Sequence, residues 1–334
     1  MKTRARKIAA TALVSAAGIA VCAVLSIALG ARRVSAADIV NGLFGGAEQT
    51  LSSAVVRERV VRTVFGLTAG AALGVSGALM QAITRNPIAD PSVLGVNTGA
   101  SLFVVVGIAF FGISSAGEYI GLALLGAALT AGFVYGIGSM GRGGATPIKL
   151  ALAGAATSAA LSSVLSAVML PRGQVMDAFR FWQVGSVGGA TWGTIRLVAP
   201  FLAVGALAGI LSAPALNALA LGDDVAVGLG VNTGLLRIVS AAAGVMLCGA
   251  VTALAGPIGF VGLMAPHLAR LILGPDQRIL IPASAAVGAC TLTVSDVAGR
   301  MLGRPGELEV GVVTAFIGAP ILIVIAMRSK VRSL

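Results

Sequence analysis

Side chains able to do chemistry are scarce in this chain, so the few that occur carry much of the information. Asp and Glu number 12, Lys and Arg 23, and there is one histidine among 334 residues. Asp296 falls inside an apolar run, where a bare carboxylate at mid-span costs about 2.5–3.5 kcal/mol on insertion scales. Arg300 follows four residues later on the same helical face, acid before base as such pairs prefer, so the plain reading is an internally neutralised pair. The functional alternative makes Asp296 the coupling carboxylate of a stand-alone secondary transporter driven by an ion gradient. His267, in GPIGFVGLMAPHLARL, has no Cys, Asp or Glu nearby and reads as a packed histidine rather than a metal ligand. Cys22, Cys248 and Cys290 lie in apolar segments without CxxC spacing and read as small buried hydrophobes. The sequence has no GxxxxGK[ST] loop, no Ser-His-Asp set and no paired-carboxylate site. No catalytic residue, metal or cofactor is therefore expected here; if ATP drives this protein, a separate subunit must bind it.

Two other groupings suggest binding rather than catalysis. Asp223 and Asp224 stand side by side in ALGDDVAVGLGVNTG, a polar interruption at 220–234 between two long apolar runs. Val225, Ala226 and Leu229 follow at helical spacing, which predicts a short amphipathic helix with acids in its first turn, where the helix dipole favours them. The segment is either a solvated connection or a docking surface bounded by Gly222 and Gly230. Ser158, Ser162 and Ser166 recur at intervals of four and put a mildly polar stripe on one helix face. That stripe is either packing, with serines back-bonding to the preceding turn, or a wall of a translocation pathway.

The elements that must position these residues are dictated by composition. Hydrophobic residues make up 57% and charged residues 10% of the chain, whereas a soluble domain carries about 25% charged residues. With a mean hydropathy of +1.00, the chain reads as one all-α, polytopic membrane domain over residues 1–334. About ten transmembrane helices are expected in a tightly packed bundle: from Ile8 to about Ala31, then near 60–83, 93–111, 119–138, 148–170, 193–214, 235–255, 257–273, 279–302 and 308–327. The first run is too long for a signal peptide, and residues 1–7 are a basic cytoplasmic N-terminus. Arg328, Lys330 and Arg332 place the C-terminus on the same side.

With alternate connections inside and outside, thirteen of the 23 basic residues fall inside and ten outside, a poor positive-inside bias. An acidic partner on the outer face would explain the surplus. The net charge of +11 does not indicate nucleic acid, because the basic residues are scattered between spans with no aromatic-interleaved patch. Glycine-rich strings such as GLTAGAALGVSGALM allow helices to approach closely. LGVNTG occurs twice, at Leu94–Gly99 and Leu229–Gly234, each time ahead of a span, with Asn and Thr as capping candidates.

Five strings carry a specific resemblance: MQAITRNPIADPSVLGVNTGAS, FRFWQVGSV, LGDDVAVGLGV, GPIGFVGLMAPHLAR and PGELEVGVVTAFIGAPILI. From about Arg59 to the C-terminus, in one collinear order, the chain resembles permease subunits of FecCD-type ABC importers, which take up ferric siderophores, haem or cobalamin. The flavour is that of ferric-enterobactin permeases. The resemblance implies ten helices, a second permease subunit, identical or homologous, and two cytoplasmic ATPase subunits. It also implies an extracytoplasmic substrate-binding protein, a ferric siderophore as cargo and residence in the cytoplasmic membrane of a bacterium. It makes 220–234, with Gly222, Asp223, Asp224, Val225, Ala226, Leu229 and Gly230, the ATPase-docking loop. Arg59, Arg62 and Arg300 align with the arginines that meet glutamates of the binding protein. Val61 stands where relatives carry proline, and Glu309 where proline commonly follows Glu-Leu.

Overall fold

The centre of the bundle is the helix whose sequence is richest in regularly spaced glycine. In a computed structural model that describes residues 2–45, 51–113, 115–141 and 146–328, α3 runs from Leu51 to Thr84 and buries nearly every side chain of its second half. A methyl group at Gly70 would meet the Gly288 carbonyl, and one at Gly77 the Gly262 backbone. The missing side chains therefore let α12 (Gln277–Leu302) and α11 (Val261–Leu273) lie directly against α3. In a bilayer, where apolar contact with lipid costs nothing, such close packing is the main attraction between helices.

Around this axis lie α1 (Lys2–Ala28), α4 (Val96–Phe111), α5 (Ala116–Ser139), α6 (Pro147–Met169), α8 (Trp192–Leu219), α10 (Thr233–Ala255) and α13 (Val310–Arg328). All described secondary structure is helical. Among the described residues seven helices are long and apolar enough to cross a membrane, and Val96–Phe111, Val261–Leu273 and Val310–Val324 are shorter apolar helices. Every expected span has a helix, but α3 begins nine residues before its expected start at 60. It continues as an amphipathic turn carrying Arg57, Glu58 and Arg59. Two helices were not expected, α2 (Ala36–Phe44) and α7 (Gly173–Gln183), both too short to register as spans.

Local chemistry sets the helix ends. Ser35 with Asp38, Ser115 with Glu118, and Thr191 with Thr194 form reciprocal capping boxes that satisfy first-turn amides of α2, α5 and α8. Asn232 and Asp276 cap α10 and α12 through side-chain oxygens. The two LGVNTG copies differ here. Both place glycine in the left-handed region, at φ 73° for Gly95 and 81° for Gly230. Only Asn232 is a cap; Asn97 lies within α4, and its Oδ1 accepts from Thr252 Oγ1 on α10 at 3.0 Å. A capping role for Asn97 is thus corrected to a cross-helix hydrogen bond.

Candidate functional sites

The short helix α9 (Asp223–Gly228) hangs between α8 and α10, the element expected within 220–234. Gly222 at φ 121° turns the chain out of α8, a conformation L side chains rarely adopt, and Gly230 turns it back towards α10. Asp223 is paired with Arg85, at the end of α3, and accepts from Arg237 Nη2 on α10 at 2.8 Å. Arg85 also donates to the Leu219 carbonyl at the C-terminus of α8. One aspartate thus gathers the ends of three helices against α9. Ala226 is fully buried, whereas Val225, Val227 and Leu229 are exposed, with Leu221 beside them. Of the apolar residues expected at helical spacing, Ala226 packs on the bundle and Val225 and Leu229 are exposed. Asp224 is exposed and has no partner among the described residues. The result is a protruding apolar knob with one free acid, anchored by ion pairs to α3 and α10. Sequence reasoning missed Arg85 and Arg237; Arg237 follows Asp223 by 14 residues in a chain with little other charge, which was an available signal, whereas Arg85 precedes it by 138 and left none.

The three motif-matched arginines lie together at the opposite end of α3, but mostly inward. Arg59 is 5% and Arg300 2% exposed. Arg59 Nη1 donates to the carbonyls of Ile27 and Ala28 at 3.0 and 3.2 Å. Arg300 Nη1 donates to the carbonyls of Ser26 and Leu29 at 3.0 and 3.1 Å, and its Nη2 to Ser26 Oγ at 2.8 Å. Arg304 reaches the Gly30 carbonyl at 2.6 Å. Among these acceptors the carbonyls of Ser26, Ile27 and Ala28 are the last of α1, which lack intrahelical partners and carry the negative end of the helix dipole; those of Leu29 and Gly30 follow directly after it. Arg59 and Arg300, expected on the docking face, are thus buried here, with their guanidiniums on carbonyls at the end of α1. Arg62 binds Asp296 through Nη2 at 2.7 Å and Nε at 3.0 Å, and Glu307 through Nη1 at 2.6 Å. Arg300 holds the other Asp296 oxygen at 3.0 Å. The expected Asp296–Arg300 pair is present, within a neutral cluster of two arginines and two acids. Arginines exposed at this end include Arg32, Arg33, Arg57 and Arg304.

On α6, Ser158 is half-buried against Gly95, while Ser162 and Ser166 are exposed. Their exposed neighbours Ala155, Ala156, Ala159, Ala160 and Ala167 give α6 an open face on which small side chains outnumber the exposed Leu152 and Val164. By contrast, the exposed face of α8 carries the bulky Leu197, Val204, Leu207 and Leu211. His267 Nδ1 is buried without a hydrogen-bond partner, and no metal-binding group of His, Cys, Asp and Glu occurs among the described residues. Arg142, Lys330 and Arg332 lie outside the described residues.

A bundle of closely packed helices, several of them long and apolar enough to cross a membrane, is the architecture of a polytopic membrane protein. Sequence comparison is more specific: the chain belongs to the FecCD transport family, whose model matches residues 18–328. It is 43% identical over 305 residues to the ferric enterobactin transport system permease protein FepD of Escherichia coli (strain K12), covering 91% of each chain. It is 42% identical over 270 residues to the probable siderophore transport system permease protein YfiZ of Bacillus subtilis (strain 168), covering 81% of each. Among solved structures it resembles an inward-facing metal-chelate type ABC transporter, with a TM-score of 0.83 and 26% identity over 96% of this chain and 99% of that one.

Proposed function

We propose that this chain is the permease subunit of a binding-protein-dependent ABC importer and that its cargo is a ferric siderophore. The cargo assignment rests on relatives named for ferric enterobactin, siderophore, ferric citrate and ferric hydroxamate transport. The chain performs no chemistry of its own; separate cytoplasmic ATPase subunits bind and hydrolyse ATP. The seven long and three shorter apolar helices make ten spans in the cytoplasmic membrane, both termini inside.

The single observation that carries the mechanism is the construction of α9. Its outer surface presents Asp224, Val225, Val227 and Leu229 to a partner, while Asp223 ties it to α3 and α10 through Arg85 and Arg237. A push from an ATPase subunit on α9 therefore reaches the axial helix and α10 through ion pairs, and α8 through the chain itself. The open, small-residue face of α6, with Ser162 and Ser166, lines the pathway against a second permease subunit, and the bulky face of α8 meets lipid. The binding protein docks on the face where Arg32, Arg33 and Arg57 are exposed, with Arg62 and Glu307 at its edge. The ion-coupled alternative loses its main support, since Asp296 is already matched by two arginines.

The test is reconstitution in proteoliposomes with the cognate ATPase and binding protein. ATP-dependent accumulation of a radio-iron siderophore supports the reading. Accumulation by the permease alone on an imposed ion gradient would replace it with secondary transport.

A further inference from the structure

Beside the exposed apolar face of α8 the bundle leaves an open groove of about 400 Å³ between α5, α8 and α10. Its walls include Leu124, Ala128, Gly132, Phe201, Ala242 and Met246, all apolar. At one end stands Tyr135, half-buried, whose hydroxyl has no hydrogen-bond partner among the described residues. Tyr135 is near the C-terminal end of α5, and Ile238, on the same wall, is near the start of α10. This places the hydroxyl on the α9 side of the bundle. Ile238 directly follows Arg237, which holds Asp223.

We infer that this groove is a binding site for one acyl chain of a membrane phospholipid, with the Tyr135 hydroxyl donating to an ester or phosphate oxygen of the same molecule. Three observations commit the site to lipid. The groove opens beside the α8 face that carries Leu197, Val204, Leu207 and Leu211, side chains 50–69% exposed, with no charged residue among its lining. Its volume lies in the range of sites that hold small apolar ligands, and a void of that size beside hydrocarbon is filled by hydrocarbon, since leaving it empty forfeits contacts on every wall. The one polar side chain among its lining residues is that of Tyr135, near a helix end, the depth at which tyrosine meets lipid headgroups. The inference rests on the helices spanning the membrane. Its consequence for the transporter is local: a chain seated there packs on the α10 segment that begins at Arg237, so the lipid is part of the support of α9.

The experiment places a photoreactive side chain in the groove, Phe201→p-benzoylphenylalanine, and outside it, Phe133→p-benzoylphenylalanine, Phe133 being exposed on α5 but not part of the groove. The permease is expressed with its partners, extracted into detergent, washed and irradiated, and adducts are identified by mass. A phospholipid adduct at 201, with little or none at 133, is expected, because a seated chain survives washing and annular lipid does not. Gly132→Leu should reduce that adduct about tenfold, equivalent to about 1.4 kcal/mol, by filling the groove. A side chain at 132 points into open space, which protects folding. Tyr135→Phe, a smaller change, should reduce it less. Equal phospholipid labelling at 201 and 133, detergent alone at 201, a protein adduct at 201, or an adduct insensitive to Gly132→Leu would each overturn the site. Membrane fractionation of the same cells checks the spanning assignment separately, so loss of the adduct in a membrane-inserted permease counts against the groove alone.

Discussion

Arg62 and Asp296 stand 234 residues apart in the chain and 2.7 Å apart in the fold. Their contact joins α3 to α12 at the end opposite α9, on the pair of helices whose glycines already bring them together. Arg300 holds the second carboxylate oxygen, and Glu307 takes a remaining donor of Arg62, so two positive and two negative groups close on one another. Asp296 and Arg300 are almost wholly buried. Pairing explains how a membrane protein tolerates them, since each charge alone carries a desolvation penalty of several kcal/mol.

Removing one acid from that cluster leaves buried guanidiniums without compensation. Asp296→Asn should destabilise the solubilised permease by about 3–5 kcal/mol, the usual cost of breaking a buried pair from one side. Thermal unfolding in detergent measures it. An Asp296→Asn permease with unchanged stability but no uptake would instead assign the carboxylate to ion coupling.

Capping and docking by the outer arginines separate cleanly. Arg59→Ala should lower stability by about 1–3 kcal/mol, because the carbonyls of Ile27 and Ala28 lose their donors. The same change should leave the salt dependence of binding-protein association unaltered. Charge reversal at Arg32, Arg33 and Arg57 should do the opposite: slow association, flatten its salt dependence and spare stability. Association kinetics across a salt series decide. A flattened salt response in Arg59→Ala would return that residue to the docking surface.

These arginines also mark the boundary of what the sequence can disclose. The apolar runs were legible because a bilayer demands long uninterrupted hydrophobicity, and α9 because acids followed by apolar residues at helical spacing announce a helix start. Asp296 and Arg300 were legible as a pair because four residues return to the same helix face. Arg62 as their third member was not, since nothing in local spacing links positions so distant. The contacts of Arg59 and Arg300 with α1 were not legible, because an arginine suited to a partner's carboxylate is equally suited to the bare carbonyls ending a helix. The short α2 and α7 escaped because an amphipathic helix of 9 or 11 residues contributes little to a span-length hydropathy signal.

Asp90 offers a pH test. It lies in the loop between α3 and α4, where its carboxylate accepts from the Ser92 amide at 2.9 Å. Burial pushes the carboxyl above its ordinary range, and the hydrogen bonds from Ser92 only partly oppose this. A raised folded value means that the protonated form is favoured by folding. Its stabilising contribution is present below the unfolded value and lost as pH rises through the folded one. Asp90→Asn keeps a capping oxygen without the charge, so near neutral pH it should be at least as stable as the parent, with the difference shrinking in acid. Unfolding midpoints across the acid range check the sign; a variant that becomes relatively less stable as pH rises would contradict it.

The central claim, that α9 receives force from an ATPase subunit, is tested most directly by binding-protein-stimulated ATP hydrolysis in proteoliposomes. Two permeases are compared there: the parent and one with Asp223 to Leu229 replaced by a Gly-Ser linker. Single cysteines at Asp224 and Val227, both on the exposed surface of α9, report contact with the ATPase by crosslinking in the parent background. Crosslinks at both positions and loss of stimulated hydrolysis in the linker variant are expected, with the permease still inserted in the membrane. Stimulation equal to the parent's after the replacement would contradict it.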